Sequence, residues 1–135
     1  MATEADAEII AAIFDSAFAG NSPLPSELIT QQLNSGRVRY LIDEENRAVL
    51  SYSSVLDETE IDYLAVERNA QGQGIGRQLL TYFLADQLGV RVLLEVAEDN
   101  VIARHLYEKV GFHAYHKRKN YYRDGQTAIL MEKKQ

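Results

Sequence analysis

Apolar residues recur at helical spacing near the start of the chain. Ile9, Ile10, Ile13, Phe14 and Ala17 fall on one face, Thr3 is placed to cap the helix with Asp6 three residues on, and Gly20 ends it. Asn21-Ser22-Pro23-Leu24-Pro25 breaks the pattern. Ser26 then caps a short second helix carrying Leu28, Ile29 and Leu33, which stops at Asn34-Ser35-Gly36. Beyond it the period falls to two: Val38, Tyr40 and Ile42 alternate with Arg37, Arg39 and Leu41. The polar turn 43–47 leads to a strand over 48–56, and Asp57-Glu58 to another over 60–66, which makes an antiparallel meander.

After Val66 a glycine-rich loop at 69–74 precedes a helix with Ile75, Leu79, Leu80, Phe83, Leu84 and Leu88 inward, closed by Gly89. Residues 90–96 are nearly all apolar and predict a central strand covered on both faces. Asn100 opens a further helix with Ile102, Ala103, Leu106 and Val110 inward and Gly111 as its stop. Two last strands, near 112–118 and 127–132, flank the polar segment 120–126. The order ααβββαβαββ predicts one α+β domain over residues 1–135, with a mixed, mostly antiparallel central sheet flanked by helices.

Composition narrows the function classes. The chain of 135 residues has 14 Lys+Arg against 20 Asp+Glu, a net charge of −6. It is expected to form one soluble domain, with no membrane span and no direct nucleic-acid binding. The charge is uneven: residues 1–100 hold 17 acids and 6 bases, a net of −11, while 101–135 hold 8 bases and 3 acids, a net of +5. There is no cysteine. That excludes disulfides, thiolate metal sites and a cysteine-bound intermediate, and with the acidic N-terminus sets the expectation of a cytoplasmic protein. His105, His113 and His116 lack the spacing of a metal site, so no metal is expected.

Gln71-Gly72-Gln73-Gly74-Ile75-Gly76 lies between a strand and a helix. Free backbone N–H groups at a helix N-terminus attract phosphate or pyrophosphate, and glycines permit close approach; a plain turn needs glycines too. Arg77-Gln78 stands where a P-loop needs lysine and a hydroxyl, and the third glycine comes one residue early for a dinucleotide fingerprint. Further on, Asn100 and Tyr107 are two helical turns apart and share a face. Taken singly, they read as a helix cap and a packed aromatic.

Together these segments form a pattern. Gln-x-x-Gly-x-Gly after Leu64-Ala65-Val66, then Leu94-Glu95-Val96, then Asn-x-x-Ala-x-x-Leu-Tyr-Glu-Lys-x-Gly-Phe ending at Phe112, resembles the GNAT superfamily of acetyl-CoA-dependent N-acetyltransferases. The likeness runs from about Asp57 to Met131. Within the superfamily, residues 57–66 and the late Arg118-Lys119-Asn120-Tyr121-Tyr122 look most like the RimI-type bacterial ribosomal-protein-alanine N-acetyltransferases. That family usually opens with a short strand, whereas this sequence enters its first helix almost at once. Ser22-Pro23-Leu24-Pro25-Ser26 stands where the family carries an aromatic-rich Pro-Trp-Ser segment.

The resemblance implies a GNAT-like fold and acetyl transfer from acetyl-CoA to an amine. It implies Glu95 as general base and Tyr107 as general acid. Backbone groups near Leu64, Ala65 and Val66 would face the acetyl carbonyl, Gln71, Gly72, Gln73, Gly74, Ile75 and Gly76 the pyrophosphate, and Asn100 the pantetheine arm. Tyr121 and Tyr122 would lie by the acceptor groove, unless they are simply strand residues. The implied acceptor is a basic protein N-terminus beginning with alanine, from a ribosomal protein. A lysine side chain, a small amine, and a non-catalytic acyl-CoA-binding module are the alternatives. Lys117, Arg118 and Lys119 fit either a solvated hairpin or a contact with the cofactor phosphate or the ribosome.

Overall fold

The computed structural model describes residues 6–18 and 26–135. The expected Thr3 cap, the Gly20 stop and the breaker at 21–25 lie outside the described residues. Helices α1 (Ala7–Ala17) and α2 (Ser26–Ser35) come first, followed by the meander β1 (Arg39–Ile42), β2 (Ala48–Val55) and β3 (Glu58–Val66). Then come α3 (Ile75–Ala85), β4 (Arg91–Ala97), α4 (Val101–Lys109), β5 (His113–Arg118) and β6 (Ala128–Lys134). The strands form one six-stranded sheet in the order β1-β2-β3-β4-β6-β5, in which only β3 and β4 run parallel.

Strand alternation sends two sets of side chains to opposite faces. Ala48, Leu50 and Tyr52 of β2 meet Leu79, Leu80 and Phe83 of α3 and Tyr107 of α4 on one face. Val49 of β2 and Ala65 of β3 meet Ile10, Phe14 and Ile29 of α1 and α2 on the other. Fully burying a side chain such as Leu80 or Phe14 contributes about 1.5–3 kcal/mol, so each helix is held chiefly by its apolar stripe. Near its start, α3 comes close to β3: a Cβ added at Gly76 would meet Val66 Cγ2 at 3.3 Å.

Three expectations from periodicity need correction. α3 ends at Ala85, and Leu88 stands outside it, 78% exposed. β4 buries Val92, Leu94 and Val96 on one face, while Glu95 on the other is exposed, so the strand is covered on one face along its length. Ile102 points out of α4, and only Ala103, Leu106 and Val110 pack inward. Leu88 and Ile102 share one origin, an apolar residue near an element's end counted as core, whereas in β4 a nearly continuous apolar run hid the exposure of Glu95.

The feature that positions the site is where β3 and β4 stop pairing. Their parallel register runs Glu58↔Arg91, Thr59↔Val92, Glu60↔Leu93 and then ends, although both strands continue. On its other edge, β3 pairs Ile61 with Tyr52 and Tyr63 with Ser51, leaving Asp62 as an extra residue, a β-bulge. The bulge reverses the alternation. Ile61 packs toward α3 before it and Leu64 and Val66 after it, while Tyr63 and Ala65 turn to α1. A bulge bends its strand, so β3 departs from β4 here and opens a split in mid-sheet.

The closed end is tied by charge. Arg91 Nη1 donates to Glu58 Oε2 of β3 at 2.9 Å and Nε to Glu132 Oε2 of β6 at 2.8 Å. The guanidinium also lies 5.0 Å from the centre of the Tyr115 ring of β5. Hydrogen bonds from Arg91 hold the Glu132 carboxyl below the usual carboxylate range.

Candidate active site

The split opens to both faces of the sheet. On the α3–α4 side, a cavity of about 440 Å³ is lined by Leu64 and Val66 of β3, the glycine loop, and Asn100, Ala103 and Tyr107 of α4. On the α1–α2 side, a cavity of about 760 Å³ is lined by Ser51, Glu60, Asp62, Leu64, Glu95 and Tyr122, and again by Asn100, Ala103 and Tyr107. Leu64, Asn100, Ala103 and Tyr107 belong to both walls, so the cavities meet at these residues.

The glycine loop is built for an anion. Gly72 and Gly74 sit at φ +81° and +80°, and a Cβ added at either would meet nothing within 4 Å. That backbone is ready for glycine and leaves room beside it. The first helical hydrogen bond runs from Gln78 N–H to Gly74 O at 3.0 Å, so the N–H groups just ahead of Gln78 have no intrahelical acceptor. Gln71 Nε2 donates to Val66 O at 3.0 Å and Gln73 Nε2 to Asn69 O at 3.3 Å, fixing the loop from within. Of the expected cofactor residues, Gln71, Gly72, Gly74, Ile75 and Gly76 line the smaller cavity with Leu64, Val66 and Asn100. Ala65 is buried toward the other face, and Gln73 turns back on the loop. Ile102, mistaken for core, is part of this wall.

Asn100 serves two purposes. Its side chain accepts from Ala103 N–H at 3.2 Å, capping α4, and it also faces both cavities. Tyr107 is buried, with its ring 5.8 Å from Phe112 in an edge contact. Burial pushes its phenol up to about 12, so it keeps its proton throughout the neutral range. Its hydroxyl makes no hydrogen bond among the described residues.

Glu95 and Tyr122 come together across the larger cavity, where Tyr122 Oη donates to Glu95 Oε1 at 2.9 Å. Burial, followed by this bond, raises the Tyr122 phenol. Tyr121 does not line the cavity: it stacks edge-on against Tyr122 at 5.3 Å and under the Arg118 guanidinium at 5.4 Å. Of the basic run, Lys117 pairs with Glu98 at 3.3 Å. Among the described residues, no group of three His, Asp or Glu could hold a metal ion, and no helix is long and apolar enough to cross a membrane.

Sequence reasoning missed Asp62, Glu60 and Ser51, all on the wall of the larger cavity. A trace of the first was present. Glu58-Thr59-Glu60-Ile61-Asp62 alternates strictly and then gives way to the unbroken Tyr63-Leu64-Ala65-Val66, a change of period that marks a bulge.

Comparison with known proteins agrees with this arrangement. Residues 4–135 match the domain described as "Acetyltransferase (GNAT) domain". The N-alpha-acetyltransferase RimI of Mycobacterium tuberculosis is 32% identical over 139 aligned positions, spanning 97% of this chain and 88% of that protein. The [ribosomal protein bS18]-alanine N-acetyltransferase of Escherichia coli K12 is 45% identical over 84 residues, 57% of this chain and 56% of its own length. The crystal structure of the ribosomal-protein-S18-alanine N-acetyltransferase from Escherichia coli superposes with a TM-score of 0.80 at 29% identity, covering 95% of this chain and 86% of the other.

Proposed function

Because the chain belongs to the GNAT family of acetyltransferases, we propose that it moves an acetyl group from acetyl-CoA to the N-terminal α-amine of a ribosomal protein beginning with alanine. The observation that carries this is the meeting of two differently built cavities at Tyr107. The smaller takes the donor. Its glycine loop and helix N-terminus suit a pyrophosphate, with the N–H groups of residues 72–76 facing it, and the groove between Leu64–Val66 and Asn100 suits an extended arm. The larger, acidic cavity takes the amine. An α-amine acceptor is favoured by the names of the relatives, an N-alpha-acetyltransferase among those matching most of the chain and alanine N-acetyltransferases among the shorter matches. A ribosomal acceptor sets the reaction in the cytoplasm.

Direct transfer is the economical route, since none of the 135 residues is a cysteine that could carry the acetyl group. Holding donor and amine in one split supplies much of the rate through proximity. Glu95, oriented by Tyr122, accepts a proton from the nitrogen through water as the new bond forms. Backbone N–H groups near Val66 stabilise the developing oxyanion. Tyr107 protonates the departing thiolate. A phenol at about 12 is a weak acid, but a thiolate in the same poorly hydrated pocket is a correspondingly stronger base.

The test is incubation with acetyl-CoA and a panel of N-terminal peptides, lysine peptides and polyamines, read by mass spectrometry. Acetylation of alanine-first peptides is expected. Lysine or polyamine products would move the acceptor to a side chain or small amine. Acetyl-CoA binding with no product would make the chain a non-catalytic acyl-CoA-binding module.

A further inference from the structure

We infer that Asp62 is a catalytic carboxylate of the acceptor side, receiving the incoming ammonium group at the β3 lip of the split and taking the first of the two protons that the nitrogen must lose. This rests on the cleft being an acetyl-transfer site. The last paired positions are Glu60↔Leu93, so Asp62 and Glu95 each stand two residues beyond, one on each parting strand, and both line the larger cavity. The bulge takes Asp62 out of the β2–β3 ladder, which gives its side chain no sheet neighbour to match.

The two carboxylates are not equivalent. Glu95 accepts the Tyr122 hydroxyl, whereas Asp62 accepts no hydrogen bond among the described residues. Beside the bulge, Ser51 is paired in register with Tyr63, and its Oγ is buried without a partner on the wall of the same cavity. Asp62 is itself exposed, so its carboxylate stands in water where a charged ligand can reach it, while the buried Ser51 hydroxyl beside the bulge still lacks a polar partner.

The charge of that ligand follows from the surroundings. Glu60 and Tyr63 of β3, Tyr40 of β1 and Glu95 of β4 face this region, and among the described residues no Lys or Arg lines the cavity. Burial, then repulsion from Glu60, pushes the Asp62 carboxyl up to about 6. An ammonium supplies the missing positive charge, and a carboxyl near 6 can hold a proton at only modest cost near neutral pH.

The protons balance. The ammonium gives one to Asp62 and becomes the nucleophilic amine. The C–N bond forms, and Glu95 takes the second proton through water. The C–S bond breaks and Tyr107 protonates the sulfur. The proton on Glu95 returns to Tyr107 through solvent, and Asp62 releases its own, so the net product is one amide, one thiol and one proton.

Two experiments on the full chain decide the matter. The side-chain carboxyl carbon of Asp62 is followed by NMR against pH, with CoA present, before and after adding a short synthetic peptide with a free N-terminal alanine. The bound ammonium should shift the Asp62 titration to lower pH; an unmoved titration overturns the inference. In kinetics, Asp62→Asn should raise KM for that peptide and lower kcat/KM by about 10²-fold. It should also remove the acid limb near pH 6 while leaving acetyl-CoA affinity unchanged, and Asp62→Glu should restore part of the loss. A variant Asp62→Asn that keeps both the acid limb and the KM overturns it. Failure of the cleft assignment would show separately, as full turnover in Glu95→Gln and Tyr107→Phe.

Discussion

The α3–α4 side of the split presents backbone, through two left-handed glycines and the open N–H groups of a helix end, whereas the α1–α2 side presents side chains, through Asp62, Glu95, Ser51 and Tyr122. The contrast follows from what each side would hold. A pyrophosphate is the same in every donor molecule, and a cradle of amides fits it with no side-chain chemistry. An acceptor amine arrives charged and must lose protons, which calls for groups that titrate. Tyr107 is the one side chain with a role in the proposed proton transfers that belongs to both sides and to neither type: it is buried and still ionisable.

The largest expected effect comes from that shared residue. Tyr107→Phe should lower kcat by about 10²-fold or more in steady-state assays with acetyl-CoA affinity retained, since only the phenolic hydroxyl is removed. A loss confined to one substrate's KM would break the picture of Tyr107 as common ground. Next is Gly74→Ala. With nothing within 4 Å of the new methyl, only the left-handed backbone is strained, at about 1–2 kcal/mol. Calorimetry should find weaker CoA binding and a lower Tm, with KM for the peptide unchanged.

A smaller effect is expected on stability. The folded-state Asp62 carboxyl, at about 6, lies above its ordinary value of 3.8, so its ionised form destabilises the fold as pH rises through that range. Asp62→Asn should therefore raise Tm at pH 8, with the gain gone by pH 4; the opposite trend in a pH series of melts would mean Asp62 has a hidden cationic partner. The smallest concerns steering. Raising salt to about 0.15 M should increase the apparent KM for a basic peptide a few-fold, because residues 1–100 carry a net −11. No salt effect would confine recognition to the split.

The same contrast explains what could be read from the chain alone. The fold was legible almost element for element, because helix stripes and strand alternation are written in single residues. The glycine loop was legible too, since the left-handed backbone at Gly72 and Gly74 is one that glycine adopts freely. The acceptor side was half hidden. Glu95 stood out as an acid in an apolar strand, but Asp62 looked like one more polar position in Glu58-Thr59-Glu60-Ile61-Asp62. Its importance comes from a slip of register against β2 and a parting from β4, which no local pattern states.

Arg91 has a mechanical consequence. The paired stretch of β3 and β4 is three residues long, about 10 Å, and the free arm of β3 from Ile61 to Val66 is six, about 20 Å. The last rung, Glu60↔Leu93, divides a short paired stretch, held by Arg91 between Glu58 and Glu132, from the longer unpaired one. The two strands that part at the cleft are thus fastened at their other end by a charged clasp that lines neither cavity.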